Sequence, residues 1–246
     1  MSRVVVLGGT GAMGALVAGR LEAAGHEVVR AARSTGVDVS TGAGLDAVVA
    51  GADVVVDCLN RTTLSKAVAV GFFEGAARRV VAAAEKAGVG HLVVLSIVNV
   101  TDPAVRRSTG YYAGKAAQED AYRAGSVPLT VVRTTAWFTL AETFLGQIRV
   151  GRVALVPRMR LRPVHPDAAA ALLVDAVGRG PGTPLLELAG PEELDASSMA
   201  RAVAGARHQG VRVVGIPVPL RGLRSGLLPG PGATVDDRTF GAWLSP

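Results

Sequence analysis

Tyr111 and Lys115 stand four residues apart in Tyr111-Tyr112-Ala113-Gly114-Lys115, a spacing that sets two side chains on one face of a helix. A phenol with a reference pKa near 10 is a reluctant acid–base group at neutral pH, and an adjoining cation makes it usable by stabilising its anion, each pKa unit being worth about 1.4 kcal/mol. The pair is thus suited to moving a proton at a reacting oxygen, and the lysine has donors to hold a hydroxyl. Two polar residues on a solvated helix face are the bland alternative. Tyr112 points elsewhere and reads as packing.

The second chemical signal is GGTGAMG, Gly8 to Gly14, directly after Arg3-Val4-Val5-Val6-Leu7. Glycine loses more backbone freedom on folding than any other residue, so this density implies a need for bare backbone. Gly9-Thr10-Gly11-Ala12-Met13-Gly14 reads G-x-G-x-x-G, and Gly8, Gly11 and Gly14 also read G-x-x-G-x-x-G. Between a predicted strand and a predicted helix, such a loop turns tightly, admits a diphosphate to the backbone and aims helix N–H groups at it. No Lys-Ser/Thr pair closes the motif, which disfavours a nucleoside triphosphate loop. The expected ligand is a dinucleotide, whose oxidised nicotinamide would add its positive charge to that of Lys115 beside Tyr111.

The following residues refine that ligand. Ala31-Ala32-Arg33-Ser34 ends the second strand without the acid that an NAD site offers the ribose 2′-hydroxyl. Arg33 and Ser34, with Arg30 as a further candidate, suit a 2′-phosphate through charge-assisted bonds. The preferred cofactor is NADP; an exposed loop arginine is the alternative reading of Arg33. Asp38 and Val39 are placed to flank the adenine, and Asp57-Cys58-Leu59-Asn60 closes a strand where the cofactor should pass. Cys58 itself reads as a small buried apolar group, and Asp53 as a turn residue.

These groups require elements to hold them. From residue 3 to residue 133, β-branched runs alternate with alanine-rich stretches, the pattern of parallel strands joined by helical crossovers. The predicted strands are Arg3 to Leu7, Glu27 to Arg30, Val37 to Val39, Asp53 to Cys58, His91 to Ser96 and Leu129 to Arg133. The predicted helices are Ala12 to Ala24, Leu45 to Val49, Phe72 to Ala87 and Tyr111 to Ala124, with Gly25, Gly51, Gly88 and Gly125 placed for left-handed caps. Beyond Arg133 the rhythm loosens. Helices are expected near Trp137 to Ile148, Asp167 to Val177, Asp195 to Ala204 and Thr234 to Leu244, and strands near Val153 to Val156, Leu185 to Leu188 and Val211 to Ile216. With no repeat or clean linker, the expectation is one domain over residues 1–246: a dinucleotide-binding core to about residue 135, then mainly a smaller substrate lobe and C-terminal elements.

Composition narrows the classes. A chain of 246 residues that is 49% hydrophobic supports a sizeable core. No apolar run approaches the roughly 18 to 20 residues of a membrane span, and no charged leader precedes the first strand, so a soluble cytoplasmic protein is expected. A lone cysteine excludes an internal disulfide and fits a reducing compartment. His26, His91, His165 and His208 lie far apart without metal-ligand spacing. The net charge of +6 comes mostly from scattered arginines with few aromatics, which argues against nucleic acid. The densest group, Arg149, Arg152, Arg158, Arg160 and Arg162, reads as a solvated face. The expected partner is a small-molecule substrate, in a monomer or a homodimer.

Taken together, GGTGAMG, AARS, DCLN, HLVVLS, YYAGKAAQE, VVRTTAWF, LELAGPEEL and TFGAWL resemble, over nearly the whole chain, an atypical short-chain dehydrogenase/reductase of the NmrA-like NAD(P)H-binding family. The resemblance implies an NADP-bound, Rossmann-type α/β fold, a doubly wound parallel sheet with a small C-terminal substrate-binding lobe. It further implies Tyr111 as proton donor and Lys115 on the ribose. Family enzymes also carry a Ser or Thr near the end of the strand before the Tyr-Lys helix; Ser96 is the candidate, and because it stands one or two positions early, Asn99 is the substitute. The expected function is hydride transfer between NADPH and a small carbonyl or conjugated carbonyl. Its substrate would lie under Trp137, Phe138 and Phe144, which are equally plausible as core, with His165 either at the pocket mouth or structural ahead of a helix. The competing expectation is a non-catalytic NADP(H)-sensing regulatory or assembly protein, against which the retention of Tyr111 and Lys115 argues. A nucleotide-sugar epimerase fits poorly, because the C-terminal lobe looks short.

Overall fold

Val4, Val5, Val6 and Leu7 are wholly buried, as a run of β-branched and aliphatic residues should be in a strand covered on both faces. In the computed structural model, which describes residues 1–63, 65–207 and 210–245, they belong to β1 (Arg3–Leu7), followed by α1 (Ala12–Ala23), β2 (Glu27–Ala31), α2 (Leu45–Val49), β3 (Val54–Asp57), α3 (Lys66–Ala87), β4 (His91–Ile97), α4 (Pro103–Arg106), α5 (Gly110–Arg123) and β5 (Leu129–Thr134). The chain continues through α6 (Leu140–Gln147), β6 (Arg149–Val150), β7 (Val153–Pro157), β8 (Arg160–Leu161), α7 (Pro166–Arg179) and β9 (Leu185–Ala189). It ends with β10 (Leu194–Asp195), α8 (Ala196–Ala206), β11 (Arg212–Ile216), α9 (Arg221–Arg224), β12 (Thr234–Val235) and α10 (Phe240–Leu244). His208 lies outside the described residues, among which no helix is long and apolar enough to cross a membrane.

The central sheet is parallel and seven-stranded, in the order β2-β1-β3-β4-β5-β9-β12. Val5 sits between Val29 of β2 and Val55 of β3, and Val55 in turn pairs with Leu92 of β4. The chain winds outward from β1 to β2, then returns across β1 to start β3. That reversal makes the carboxyl ends of β1 and β3 a topological switch point, where open α/β sheets bind ligands. By contacts, the chain forms two compact units, one of Met1–Ser96, Thr109–Arg133 and Ala169–Leu186, the other of Ile97–Ser108, Thr134–Ala168 and Glu187–Pro246.

In the first unit, α3 begins at Ser65, whose hydroxyl accepts from the Val68 N–H, and ends at Gly88 with φ 69°. Its buried Ala69, Phe73, Ala76, Ala77, Val80 and Ala84 follow helical periodicity. Close approach of α5 requires glycine: a Cβ on Gly114 would lie 2.7 Å from the Phe73 ring and 2.9 Å from the Ala69 carbonyl, and one on Gly110 would lie 2.7 Å from the Lys66 Cα. Gly114→Val is therefore expected to lose about 3 kcal/mol, the upper end of overpacking penalties, in a urea melt. Gly71→Ala, whose added methyl meets open space on α3, should instead gain about 0.5–1 kcal/mol.

Some local expectations are corrected. Val37 and Val39 are buried in the core, yet the segment is no strand: Gly36, Gly42 and Gly44 adopt φ of 85°, 88° and 72° and curl it, leaving one isolated bridge between Asp38 and Ala43. Gly25, Gly51 and Gly88 have positive φ; Gly125 does not, and instead gives room to Val81. Trp137 pairs with Val164 in an isolated bridge, so α6 starts only at Leu140. The expected terminal helix is also shorter. Thr234–Val235 pairs with Leu188 and Ala189 as a strand, and helix resumes after Thr239, whose hydroxyl accepts from the Ala242 N–H.

The second unit has a three-stranded sheet in the order β11-β7-β6 and an antiparallel pair of β8 and β10. Phe138, His165, Phe240 and Trp243 form an aromatic cluster with Phe138 at its centre, its ring centroid 5.4 to 5.8 Å from the others. Gly222 of α9 lies so near α4 that a Cβ would stand 2.1 Å from the Ala104 carbonyl oxygen.

Candidate functional site

The loop after β1 is a backbone structure. The N–H groups of Gly8 and Gly9 donate to the Ala31 carbonyl at 2.8 and 3.2 Å, and the Gly11 N–H donates to the Gly8 carbonyl at 2.9 Å. Gly8 has φ 73°, and a Cβ there would stand 3.0 Å from the Cys58 carbonyl oxygen. A Cβ on Gly14 would stand 2.1 Å from the Gly8 carbonyl oxygen, and one on Gly9 would stand 2.9 Å from the Arg30 Cα. These contacts bring α1, β2 and the end of β3 together at the switch point. α1 starts at Ala12 with no side-chain bond from its N-cap Gly11 and no acid in its first turn. Thr10, Gly11 and Ala12 are exposed, while Met13 is buried. A bare loop leading into an uncapped helix start is the donor set that fits a diphosphate.

Around this loop, the Thr10 and Ser34 hydroxyl oxygens are 3.5 Å apart, with Arg33 exposed beside Ser34. Arg30 is not part of that group: its guanidinium is bound to Glu22 at 2.9 and 3.1 Å. The Asp38 carboxylate accepts from the Ser40 N–H and hydroxyl at 2.8 and 2.6 Å, and these bonds hold it below the usual carboxylate range. Val39 lies in the core. Cys58 is buried, its thiol pushed far up by burial and by the Asp57 charge. Leu59 is half-buried and Asn60 exposed.

α5 starts at Thr109, whose hydroxyl accepts from the Tyr112 N–H at 3.2 Å. The half-buried Tyr111 ring meets Phe73 edge-on at 5.9 Å and Tyr112 at 5.7 Å. Its phenol, pushed up to about 12 by burial, has no hydrogen bond to any described residue. Lys115, one turn along, is 3% exposed. Its ammonium donates to the Leu95 carbonyl at 2.7 Å and to the Gln118 side-chain oxygen, and it lies 5.1 Å from the Phe73 ring centroid. The Gln118 amide nitrogen and the Tyr122 hydroxyl each donate to Asp57 at 2.7 Å, and the Leu59 N–H donates to the other Asp57 oxygen at 2.7 Å. Burial lowers the Lys115 pKa and raises that of Asp57, each opposed by the other's charge.

A second buried cluster lies beside it. The Ser96 hydroxyl donates to Glu119, which also receives Arg133 at 2.8 and 3.1 Å and Arg123 at 2.7 Å. Burial acts to raise the Glu119 carboxyl, but the bonds from Arg133 and Ser96 outweigh it and leave it lowered. The hydroxyl expected to orient a substrate oxygen is thus already donating to protein. Sequence reasoning did not single out Gln118, Glu119, Tyr122 or Arg133. The available signal was the spacing 115, 118, 119, 122, which is one helical stripe.

The remaining candidates belong to the second unit and have structural partners there. Asn99 adopts φ 55°, and its side-chain nitrogen donates to the Gly226 and Leu228 carbonyls at 3.0 and 2.6 Å. Phe138 is wholly buried and Phe144 is 9% exposed, so both are core. Trp137 donates its indole N–H to the Thr134 hydroxyl at 3.0 Å. The His165 Nδ1 accepts from the Asp167 N–H at 3.1 Å, at the start of α7. Arg149 donates to the Gly151 carbonyl and Arg160 pairs with Glu193, arrangements typical of a solvated face.

A doubly wound sheet with a bare glycine loop at its switch point defines a Rossmann-type dinucleotide-binding protein. The model of a family described as NAD(P)H-binding matches residues 8–177. The chain belongs to that family and is an atypical, NmrA-like short-chain dehydrogenase/reductase. It is 32% identical over 231 residues to a (4-alkanoyl-5-oxo-2,5-dihydrofuran-3-yl)methyl phosphate reductase of Streptomyces griseus, covering 87% of this chain and 75% of that protein. Among solved structures, the dTDP-4-dehydrorhamnose reductase of Bacillus anthracis in complex with NADP matches with a TM-score of 0.76 at 15% identity, over 99% of this chain and 97% of that one. The Bordetella bronchiseptica enzyme WbmH in complex with NAD+ matches with a TM-score of 0.71 at 17% identity, over 93% and 89%. At such identities the structural likeness speaks for the fold alone.

Proposed function

We propose that this chain is an NADP(H)-dependent oxidoreductase acting on a small carbonyl or conjugated carbonyl, with Tyr111 as proton donor in the reducing direction. The observation that carries the reading is the Tyr111 phenol, partly open and free of hydrogen bonds to described residues, on a helix whose Lys115, Gln118 and Tyr122 side chains are all engaged. The nicotinamide cofactor supplies a hydride when bound. Gly8 to Gly14 would hold its diphosphate, and Tyr111 would give its proton to the oxygen that gains charge. For Lys115 to hold a ribose hydroxyl, its ammonium would have to leave Leu95 and Gln118. The Streptomyces relative supports the substrate class: its name describes a ring alkene conjugated to both a ring oxo group and an alkanoyl carbonyl. The test is the loss of NADPH absorbance across a panel of aldehydes, ketones, quinones and enones, with Tyr111→Phe as the control.

NADP preference rests on Arg33, Ser34 and Thr10 beside a strand end that lacks an acid. A charge-assisted bond to phosphate is worth roughly 1.5–3 kcal/mol, and solvent screening at an exposed arginine favours the lower figure. Arg33→Ala is expected to weaken NADPH about tenfold and leave NADH unchanged in calorimetric titration. Equal affinity of the native protein for both nucleotides would remove the assignment.

One observation favours a second reading, an NADP(H)-binding sensor without turnover: Ser96 and Lys115 both serve buried protein contacts. Tight NADPH binding with no oxidation on any panel member would select it.

A further inference from the structure

We infer that Gln118 is a positioning residue for Lys115: its side-chain amide, oriented by Asp57, holds the lysine ammonium against the Leu95 carbonyl. This rests on the reading of Tyr111 and Lys115 as the reaction pair. The Gln118 amide has two unlike ends, one that only donates and one that only accepts. An Asp57 carboxylate only accepts, and it already receives the Leu59 N–H and the Tyr122 hydroxyl at 2.7 Å each. Gln118 therefore meets it with nitrogen, at 2.7 Å, and turns oxygen toward Lys115. The reversed amide would set oxygen against carboxylate and N–H against ammonium, two repulsive contacts in a low-dielectric interior.

Lys115 completes the set. Of its three donor directions, one meets Leu95 at 2.7 Å, one meets Gln118, and the Phe73 ring lies 5.1 Å away. The chain of bonds thus ties the helix that bears Tyr111 to the end of β3 and to β4. The charged and titratable groups facing Lys115 are Asp57 and Cys58 from β3 and its end and Glu119 from α5. Glu119 is itself neutralised by Arg133 and Arg123, and Tyr122 is bound to Asp57.

The experiment uses the whole protein with nitrogen-15-labelled lysine, read by NMR across pH. The chain has three lysines; Lys66 and Lys86 are exposed, so the slowly exchanging ammonium is expected to be Lys115, identified by its loss in Lys115→Met. Gln118→Met is expected to lower the ammonium midpoint by about one pH unit, a tenfold change. Gln118→Glu, whose protonated carboxyl reproduces both donor and acceptor, should keep it at or above the native value. An unchanged midpoint and exchange rate in Gln118→Met would overturn the inference. In the native protein labelled with nitrogen-15 on glutamine as well, the Gln118 amide signals, identified by their loss in Gln118→Met, should shift with the Lys115 midpoint; independence of the two also overturns it. These readouts stand apart from turnover. A native protein that oxidises no NADPH defeats the reaction-pair reading while the NMR result still decides the role of Gln118.

Discussion

Tyr111→Phe is expected to abolish most substrate-dependent NADPH oxidation, by about 10²- to 10⁴-fold, the range of a lost general acid. NADPH affinity and the melting temperature should hardly change. The ring contact with Phe73 survives the substitution, and the hydroxyl it removes has no hydrogen bond to a described residue. Burial pushes the phenol up to about 12, so the free protein carries it protonated through neutral and mildly alkaline pH. Reduction, which needs the protonated form, should show no titration of Tyr111 until strongly alkaline pH; oxidation, which needs the phenolate, should climb as pH rises toward that value. A Phe variant with native turnover would remove Tyr111 from the chemistry, whatever its cofactor affinity.

Gly14→Ala should be more damaging to binding than any side-chain change around the loop. The added methyl would stand 2.1 Å from the Gly8 carbonyl oxygen, 2.7 Å from its carbon and 2.9 Å from the Gly9 Cα. All three are backbone atoms, so no rotamer relieves the overlap. Either the loop opens or the start of α1 moves away, and each withdraws the amides that would grip a diphosphate. We expect NADPH affinity to fall at least about a hundredfold, with a loss of roughly 1–3 kcal/mol in stability. Gly19→Ala in the same helix is the control. Its methyl meets only the Arg30 guanidinium, at 3.9 Å, so affinity should hold and stability should rise by about 0.5–1 kcal/mol. Native calorimetric affinity in Gly14→Ala would refute the diphosphate assignment.

Local physics made much of this molecule readable. β1 and α2 have the bounds their residue patterns imply, α1, β2, β4 and β5 differ from them by one residue at one end, and β3 and α5 by one residue at each end. Strands buried on both faces read as continuous apolar runs, and a glycine loop between strand and helix has few alternative uses. Expectation and structure differ where short-range signals conflict. Val37 to Val39 has strand-forming residues and a buried environment, but flanking glycines in left-handed conformations bend it out of the sheet. Thr234-Val235 adjoins a helix-like stretch, but it pairs as a strand with Leu188 and Ala189, much earlier in the chain.

From its sequence alone, this chain specified a Rossmann-type sheet, the place of its glycine loop and the Tyr-Lys helix, because each depends on neighbours within a few residues. Tertiary structure alone decided what that helix does with its polar stripe. Lys115, Gln118, Glu119 and Tyr122 turn inward because Asp57, 61 residues from Gln118, and Arg133 and Ser96 on neighbouring strands supply the charges and hydrogen bonds that a buried polar group requires. Without those distant partners the same stripe would face water, and no spacing rule distinguishes the two outcomes.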